Sequence, residues 1–160
     1  MQNNSKLQRS LILIKPDGVQ RGLVGQIIHR FERKGLKLVG LKMMKLNADD
    51  VRKHYGKYSD KPFYKTLEEF MTSSPIVAMV WEGLEAVKAC RLIAGERRHG
   101  FESEAGSIRG DFALSGANNV VHSSDTPENA EAEINAFFDI TELFDYSKTD
   151  YMHLYSPDDF

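Results

Sequence analysis

His122 is the residue whose position most directly suggests chemistry. It follows the short apolar run of "NNVV" and precedes the small polar residues of "SSDT", where a capped helix is about to begin. A histidine at the end of a buried strand can serve as a nucleophile or a general base, because a ligand can reach it there. The alternative is a structural histidine whose ring nitrogens bond to the backbone. Position alone supports the two interpretations about equally.

Three cationic residues stand where a phosphate could bind. Lys15 ends the apolar run of "LILIKPDG", and it could present a fixed charge there or simply extend to water. Arg91 is spaced to share a helical face with Leu84 and Val87, so it needs either an internal carboxylate or a ligand phosphate as a partner. Arg109 lies between glycines in "GSIRGD", which would let the backbone approach a ligand, although an ordinary surface loop would look the same.

Further residues could support such a site. Glu133 lies in the helix after His122, and a carboxylate bonded to one imidazole nitrogen would leave the other nitrogen free to attack. Taken alone, a glutamate at such a helix position is more often an ordinary surface residue. Tyr55 and Phe63 flank the turn between two predicted helices, where they could belong to the core or sandwich a flat ring. Arg97 and Arg98 add positive charge nearby, or they form a solvated helix end.

Hydrophobic patterning predicts four strands that would carry these residues. Continuous apolar runs indicate strands buried on both faces, whereas near-alternation with lysine indicates a strand with one wet face. The predicted strands are "SLILIK" (10–15), "LKLVGLKMMKL" (36–46), "PIVAMVW" (75–81) and "NNVVH" (118–122).

Helical periodicity and capping residues predict the helices between the strands. Asn47 and Thr126 are expected to be N-caps, Pro127 a first helical residue, and Gly35 a helix end. The predicted helices lie within "GLVGQIIHRFERKG", "NADDVRKHY", "KPFYKTLEEFMTSS", "GLEAVKACRLIAG" and "TPENAEAEINAFF". Residues 96–117 and the tail from Asp139 have no clear period, and so long a structureless loop is usually functional. Strands alternating with helices indicate an α/β or α+β sandwich, and the strand order stays open.

The totals limit the classes of protein. At 160 residues we expect one domain spanning 1–160, with a hydrophobic fraction of 41% and a charged fraction of 28% that are ordinary for a globular protein. A net charge of −2 gives no bulk attraction to nucleic acid or membrane, so any anion site must be local. The lone Cys90 fits a reducing compartment. The polar start "MQNNSKLQRS" predicts no signal peptide, and the longest apolar run is too short to span a membrane.

Five motifs together resemble the nucleoside diphosphate kinase family. They are "LILIKPDGVQRGLVGQIIHRFERKG", "KPFY", "PIVAMVWEG", "GSIRGDF" and "NNVVHSSD", and the similarity runs in order from about Leu7 to Tyr146. The resemblance implies an α+β fold, a ferredoxin-like βαββαβ sandwich in which helices pack on a four-stranded antiparallel sheet. It also implies ping-pong transfer of a γ-phosphate from a nucleoside triphosphate to the enzyme and then to a nucleoside diphosphate.

The resemblance assigns a role to each candidate residue. It implies that His122 is phosphorylated on Nδ1, that Glu133 supports the ring, and that Ser124 hydrogen-bonds Glu133. The other implied roles are phosphate binding by Lys15, Arg91 and Arg109, ribose binding by Asn119 and Lys15, proximity of Tyr55 to the histidine, and stacking of Phe63 on the base.

The resemblance also implies ligands, assembly and location. Mg²⁺ would arrive on the nucleotide phosphates and would need no protein ligands. The partners would be nucleoside triphosphates and diphosphates, including ATP and GTP, and further copies of the chain in a hexamer or tetramer. We expect a cytoplasmic protein that binds neither a membrane nor a specific nucleic acid sequence.

Two departures from the family pattern stand out. Arg97 occupies a position where the family usually has a threonine that touches the diphosphate, so we count Arg97 among the candidate nucleotide-binding residues. Ala117 and Asn118 replace a common "GR". These changes affect phosphate contacts and assembly rather than the reaction.

Two other functions fit the sequence less well than the kinase. An RNA-binding module would need paired strand aromatics and a basic face, and the sequence has neither. An inactive relative should have lost His122, Lys15 or the arginines, and all are present.

Overall fold

The computed structural model of the chain describes residues 6–159, and within them four strands form one antiparallel sheet. The strands are β1 (Leu7–Ile14), β2 (Lys37–Met44), β3 (Ile76–Leu84) and β4 (Val121–Ser123), in the order β2-β3-β1-β4. Every neighbouring pair is antiparallel, and Leu13 of β1 lies opposite His122 of β4. This topology, with helices between the strands, confirms the expected ferredoxin-like α+β sandwich.

Eight α-helices and four short 3-10 helices connect the strands within the described range. The α-helices are α1 (Pro16–Gln20), α2 (Val24–Arg33), α3 (Ala48–Tyr55), α4 (Tyr64–Thr72), α5 (Ala86–Ala94), α6 (Ile108–Phe112), α7 (Pro127–Phe137) and α8 (Tyr151–Leu154). The 3-10 helices are Gly56–Tyr58, Gly100–Glu102, Ile140–Glu142 and Pro157–Asp159. None of the described helices is long and apolar enough to cross a membrane.

The sheet has a hydrophobic core on each face. Alternate residues of β1 point to opposite sides, so Ile12 and Ile14 join one core while Leu11 and Leu13 join the other. Helices α2, α5 and α6 cover the first core, where Phe31 stacks on Trp81. Helices α3, α4 and α7 cover the second core. Burial on both faces explains why β1 reads as a continuous apolar run.

The predicted caps fix the starts of two helices near the site. Asn47 accepts a hydrogen bond from the Asp50 backbone and forms a reciprocal capping box, which starts α3. Thr126 accepts from the Asn129 backbone, and Pro127 is the first residue of α7, as expected. These caps set where α3 and α7 begin relative to β4.

Several boundaries differ from the sequence prediction. β3 continues through Gly83 to Leu84, and Glu85 (φ 48°) turns the chain into α5, so Leu84 does not share a helical face with Arg91. Gly83 is a close-approach residue, since a Cβ there would lie 2.8 Å from the Leu36 side chain. The strand after Asn118 begins only at Val121.

The segments predicted without structure also hold short elements. The 96–117 stretch contains α6, the tail contains α8, and α1 was not predicted at all. Residues 1–5 of the polar start, and both ends of the predicted 1–160 domain, lie outside the described residues.

Candidate active site

His122 sits on the short strand β4 with one ring nitrogen tied back to a carboxylate. Its Nε2 lies 3.1 Å from Glu133 Oε2, and the side chain is 19% exposed. The Ser124 hydroxyl donates to the same Glu133 oxygen at 2.6 Å and accepts from the Leu11 backbone N–H at 3.1 Å. β1 therefore holds Ser124, Ser124 holds Glu133, and Glu133 holds the imidazole.

The charge on Glu133 fixes the tautomer of His122. Burial alone would raise the pKa of Glu133, but hydrogen bonds from His122 and Ser124 and the charge of His122 outweigh burial and lower that pKa. An ionised carboxylate can only accept hydrogen bonds, so Nε2 of His122 carries the proton. The Nδ1 of a neutral ring then keeps its lone pair for chemistry.

Lys15 is a buried cation beside Asn119. Its Nζ donates to Asn119 Oδ1 at 2.6 Å, and 9% of the residue is exposed. Burial, followed by the nearby charge of Arg109, lowers the pKa of the Lys15 ammonium to about 8, against an opposing effect of Asp17. An anionic ligand would stabilise the charged form of this amine.

Arg109 is held in place by backbone carbonyls. It donates to the Gly95 carbonyl at 2.6 Å and to the Val121 carbonyl at 2.8 Å, next to His122. Burial, followed by the charge of Arg91, lowers its pKa to about 10, so the guanidinium still carries its charge near neutral pH. Lys15 and Arg109 are thus two fixed cations whose charges influence each other, and such a pair favours binding of an anion between them.

Arg91 is half-buried and lines a cavity of about 300 Å³ with Glu96 and Asp125. Within residues 6–159, its guanidinium makes no hydrogen bond and no ion pair with an internal carboxylate. Of the two partners expected for Arg91, an internal carboxylate or a ligand phosphate, the internal carboxylate is therefore not found among the described residues. Its side chain is available to a ligand.

Two aromatic residues lie on either side of the turn between α3 and α4. Tyr55 is buried, and its ring centroid is 6.3 Å from that of His122 in an edge-on arrangement. Burial, followed by the charge of Glu133, raises the pKa of Tyr55, and its hydroxyl has no described hydrogen-bond partner. Phe63 is 41% exposed at the start of α4. Tyr55 thus belongs to the wall behind His122, whereas the Phe63 ring is partly exposed to solvent.

His54 is a neighbour of His122 that the sequence interpretation missed. Its ring centroid is 4.8 Å from that of His122, nearly perpendicular to it, and its Nε2 is buried without a described partner. Burial, followed by the charge of His122, lowers the pKa of His54 to about 3, so the ring stays neutral. The one available sign was its position beside Tyr55 at the end of a predicted helix.

Arg98, rather than Arg97, lies next to the other candidates. The Arg98 guanidinium carbon is 5.8 Å from the centre of the Phe63 ring, and the Arg98 carbonyl accepts from Asn119 Nδ2 at 2.9 Å. Arg97 is exposed and lines a groove that also contains Lys34. No described contact joins Arg97 to Lys15 or Asn119.

The fold is an antiparallel sheet with helices packed on it. The site presents an imidazole, hydrogen-bonded to a carboxylate, beside buried cations. Together they define an enzyme domain of the phosphotransferase class. The sequence model of the family described as nucleoside diphosphate kinase matches residues 8–143. The nucleoside diphosphate kinase of Natronomonas pharaonis is 51% identical over 149 residues, covering 92% of this chain and 97% of that protein. The chain therefore belongs to the nucleoside diphosphate kinase family, and it is a kinase of nucleotide metabolism.

Solved structures agree with this assignment. The nucleoside diphosphate kinase of Halobacterium salinarum in complex with CDP is 40% identical, superposes with a TM-score of 0.90, and is matched over 93% of this chain and 99% of that one. A transition state mimic of the enzyme from Borrelia burgdorferi, with bound vanadate and ADP, is 33% identical with a TM-score of 0.86, over 92% of this chain and 96% of that one.

Proposed function

We propose that the chain transfers the γ-phosphate of a nucleoside triphosphate to a nucleoside diphosphate in two steps, through a phosphohistidine at His122. The observation that carries this proposal is the Ser124–Glu133–His122 chain of hydrogen bonds, which protonates Nε2 and leaves the Nδ1 lone pair free. In the first step Nδ1 bonds to the γ-phosphorus while the bond from that phosphorus to the bridging oxygen breaks, and the diphosphate leaves. In the second step a diphosphate oxygen takes the phosphoryl group back from Nδ1.

The cations Lys15, Arg91 and Arg109 neutralise the phosphates during both steps. Phosphoryl transfer relies on positioning and on charge stabilisation more than on proton transfer. Lys15 and Arg109 are buried and already fixed by hydrogen bonds to Asn119 and to the backbone, so little reorganisation is needed when the phosphates arrive. Arg91 has no described internal partner to release.

The nucleoside lies between Asn119 and Phe63 in this proposal. Asn119, with Lys15, binds the ribose, and the exposed Phe63 ring stacks on the base, while Tyr55 stands behind the histidine. Stacking accepts any base, because every base has a flat face. ATP and GTP are therefore both proposed substrates, and the structures of relatives that hold CDP and ADP support nucleotides of different bases.

Mg²⁺ is proposed to bind through the phosphates. The three described residues that could jointly hold a metal near the site are His54, His122 and Glu133. Two imidazoles do not suit Mg²⁺, which prefers oxygen ligands and keeps several waters. Bound to the nucleotide, Mg²⁺ would supply further charge neutralisation, and the chain would contribute Lys15 and the arginines around it.

We also propose a homo-oligomer, a hexamer or a tetramer, and a cytoplasmic location. Beyond Val39, where the C-terminal segment is bonded to the sheet, the edge strand β2 exposes Leu41 (49%) and Met43 (61%), and exposed edges with apolar side chains favour association. The single cysteine, Cys90, is a buried free thiol, as suits a reducing compartment. Light scattering measures the assembly, and a monomeric mass would contradict this part of the proposal.

The test of the reaction is covalent labelling. Incubation with γ-labelled ATP should leave an acid-labile, base-stable phosphate on the protein, and added GDP or CDP should remove it as labelled triphosphate. His122→Ala should accept no label. His29→Ala serves as the matched control, because His29 is exposed on α2, and it should label like the unmodified protein. Label retained by His122→Ala would rule out the proposed mechanism.

A further inference from the structure

The backbone just before His122 adopts a turn that its sequence disfavours. Val120 has a φ of 73°, and the Val121 N–H donates to the Asn119 carbonyl at 2.8 Å, which closes a three-residue γ-turn. A positive φ is unusual for any residue with a side chain, and it is a genuine outlier for a β-branched one. Such a conformation persists only where the surrounding structure imposes it.

The "KPDG" segment imposes the turn through three contacts. Asp17 Oδ2 accepts from the Val120 N–H at 3.0 Å, and the Lys15 N–H donates to the Val120 carbonyl at 2.8 Å. Gly18 lies directly against the turn, since a Cβ there would stand 3.2 Å from the Val120 carbonyl oxygen and 2.7 Å from Ile14. Of these contacts, the carboxylate is the only one made by a side chain. Its second oxygen, Asp17 Oδ1, is buried without a described partner.

The turn separates two parts of the candidate site. On one side Asn119 accepts from Lys15 Nζ and donates to the Arg98 carbonyl. On the other side His122 is fixed in β4 by pairing with β1, which does not involve Asp17. The conformation of Val120 therefore sets the distance between the nucleoside end of the site and the nucleophile.

We propose that Asp17 is a positioning residue whose carboxylate holds the turn at Val120 and thereby aligns Asn119 with His122. This inference rests on the proposed function. It assigns to Asp17 a role that is specific to donors reaching from the sugar site to His122. A small phosphoryl donor without sugar or base needs His122 but does not need that alignment.

The experiment compares two donors on the same variants. The rate of His122 labelling is measured with γ-labelled ATP and with labelled phosphoramidate, which loses ammonia as its phosphorus bonds to Nδ1. We expect Asp17→Ala to slow labelling by ATP by about tenfold or more and labelling by phosphoramidate by about twofold at most, because misplacement of a bound substrate lowers the rate steeply. Asp17→Asn keeps an oxygen that can accept from the Val120 N–H, and it should recover most of the ATP rate.

The conservative variant also separates geometry from charge. Asp17 lies near Lys15 and favours its charged form, and Asp17→Asn removes that influence while keeping the hydrogen-bond acceptor. If Asp17→Asn is as slow as Asp17→Ala with ATP, the carboxylate acts through its charge and the inference is wrong. An equal loss with both donors in Asp17→Ala would overturn it as well.

A second background, Val120→Gly, tests the same inference independently of the choice of donor. Glycine adopts a positive φ without steric cost, so in Val120→Gly the turn depends less on the carboxylate. We expect removal of Asp17 to slow the ATP reaction less in that background than in the unmodified protein, which a double-mutant cycle measures. Additive effects would contradict the inference. If ATP fails to label the unmodified protein, the proposed function fails, and this inference fails with it.

Discussion

Lys15 carries its charge in surroundings that oppose it. Burial and the neighbouring Arg109 hold its pKa near 8 in the ligand-free protein, so the ammonium form predominates below that pH and the neutral amine above it. A neutral amine does not attract phosphate. We expect kcat/KM for a nucleoside triphosphate to fall as the pH rises through about 8, since this parameter reports the free enzyme. A steady-state pH series between neutral and alkaline conditions measures this limb.

Lys15→Arg is the control for this prediction. A guanidinium stays charged throughout that range, so the falling limb should move to higher pH even though the altered geometry lowers activity overall. A limb that stays at the same pH in the variant would show that another group causes it.

At the scale of elements, the loop after α5 contacts both Asn119 and the start of α4. The loop after α5 brings Arg98 over the Phe63 ring at the start of α4, and Arg97 points into a separate groove. We expect Arg98→Ala to raise KM for nucleotides by about two- to fivefold with a smaller change in kcat, because a cation over an exposed aromatic ring, here the ring proposed to stack on the base, contributes about 0.5–1 kcal/mol. Steady-state kinetics with several diphosphates measures the effect.

Arg97→Ala is the matched comparison, since it removes the same charge from the adjacent position. A smaller rise in KM than that of Arg98→Ala is expected. Equal effects would indicate that the two arginines act only through their charge on the loop.

The sequence predicted a helix or strand correctly where a capping residue or a hydrophobic period within that element specifies it. Asn47 and Thr126 gave correct helix starts because a capping side chain acts within its own turn. The sequence pattern places Gly83 at the start of a helix, but Gly83 lies within β3, where its missing side chain allows a close contact with Leu36, which is distant in sequence. The same limit applies to Arg98 and His54, because their neighbours are set by how α3, α4 and the long loop pack. Local spacing does not contain that information.

At the scale of the whole molecule, the C-terminal segment is bonded to the edge of the sheet. The sequence pattern did not predict these contacts. Phe144 donates its backbone N–H to the Val39 carbonyl at 2.9 Å, and the Tyr146 hydroxyl donates to the Leu38 carbonyl at 2.9 Å, both on β2. Lys148 Nζ then bonds the Gly35 carbonyl at 3.2 Å. These bonds tie an irregular segment to the edge of the sheet. The residues that make these bonds follow no helical or strand period, so no local sequence pattern predicts the bonds.

One buried lysine joins this segment to the sheet. Lys37 Nζ lies 2.8 Å from Glu82 Oε1 and 2.7 Å from Asp145 Oδ1, and the side chain is 4% exposed. Lys37→Met would leave the carboxylate of Glu82 buried with Arg9 as its remaining partner. Removing one member of a buried pair destabilises strongly, and since Arg9 remains we expect a loss of about 3 kcal/mol in the free energy of unfolding.

Lys42→Met is the matched control for this prediction, which chemical denaturation tests. Lys42 lies on the same strand and pairs with Glu142 at 2.6 Å, but the two side chains are 27% and 39% exposed. Exposed pairs contribute little, so the control should lose less than about 1 kcal/mol. The two variants differ in the burial of the pair, not in the kind of charge removed. Similar losses in both would mean that the ion pairs of β2 are equally screened by water, and that the C-terminal segment is held by its backbone bonds and apolar contacts instead.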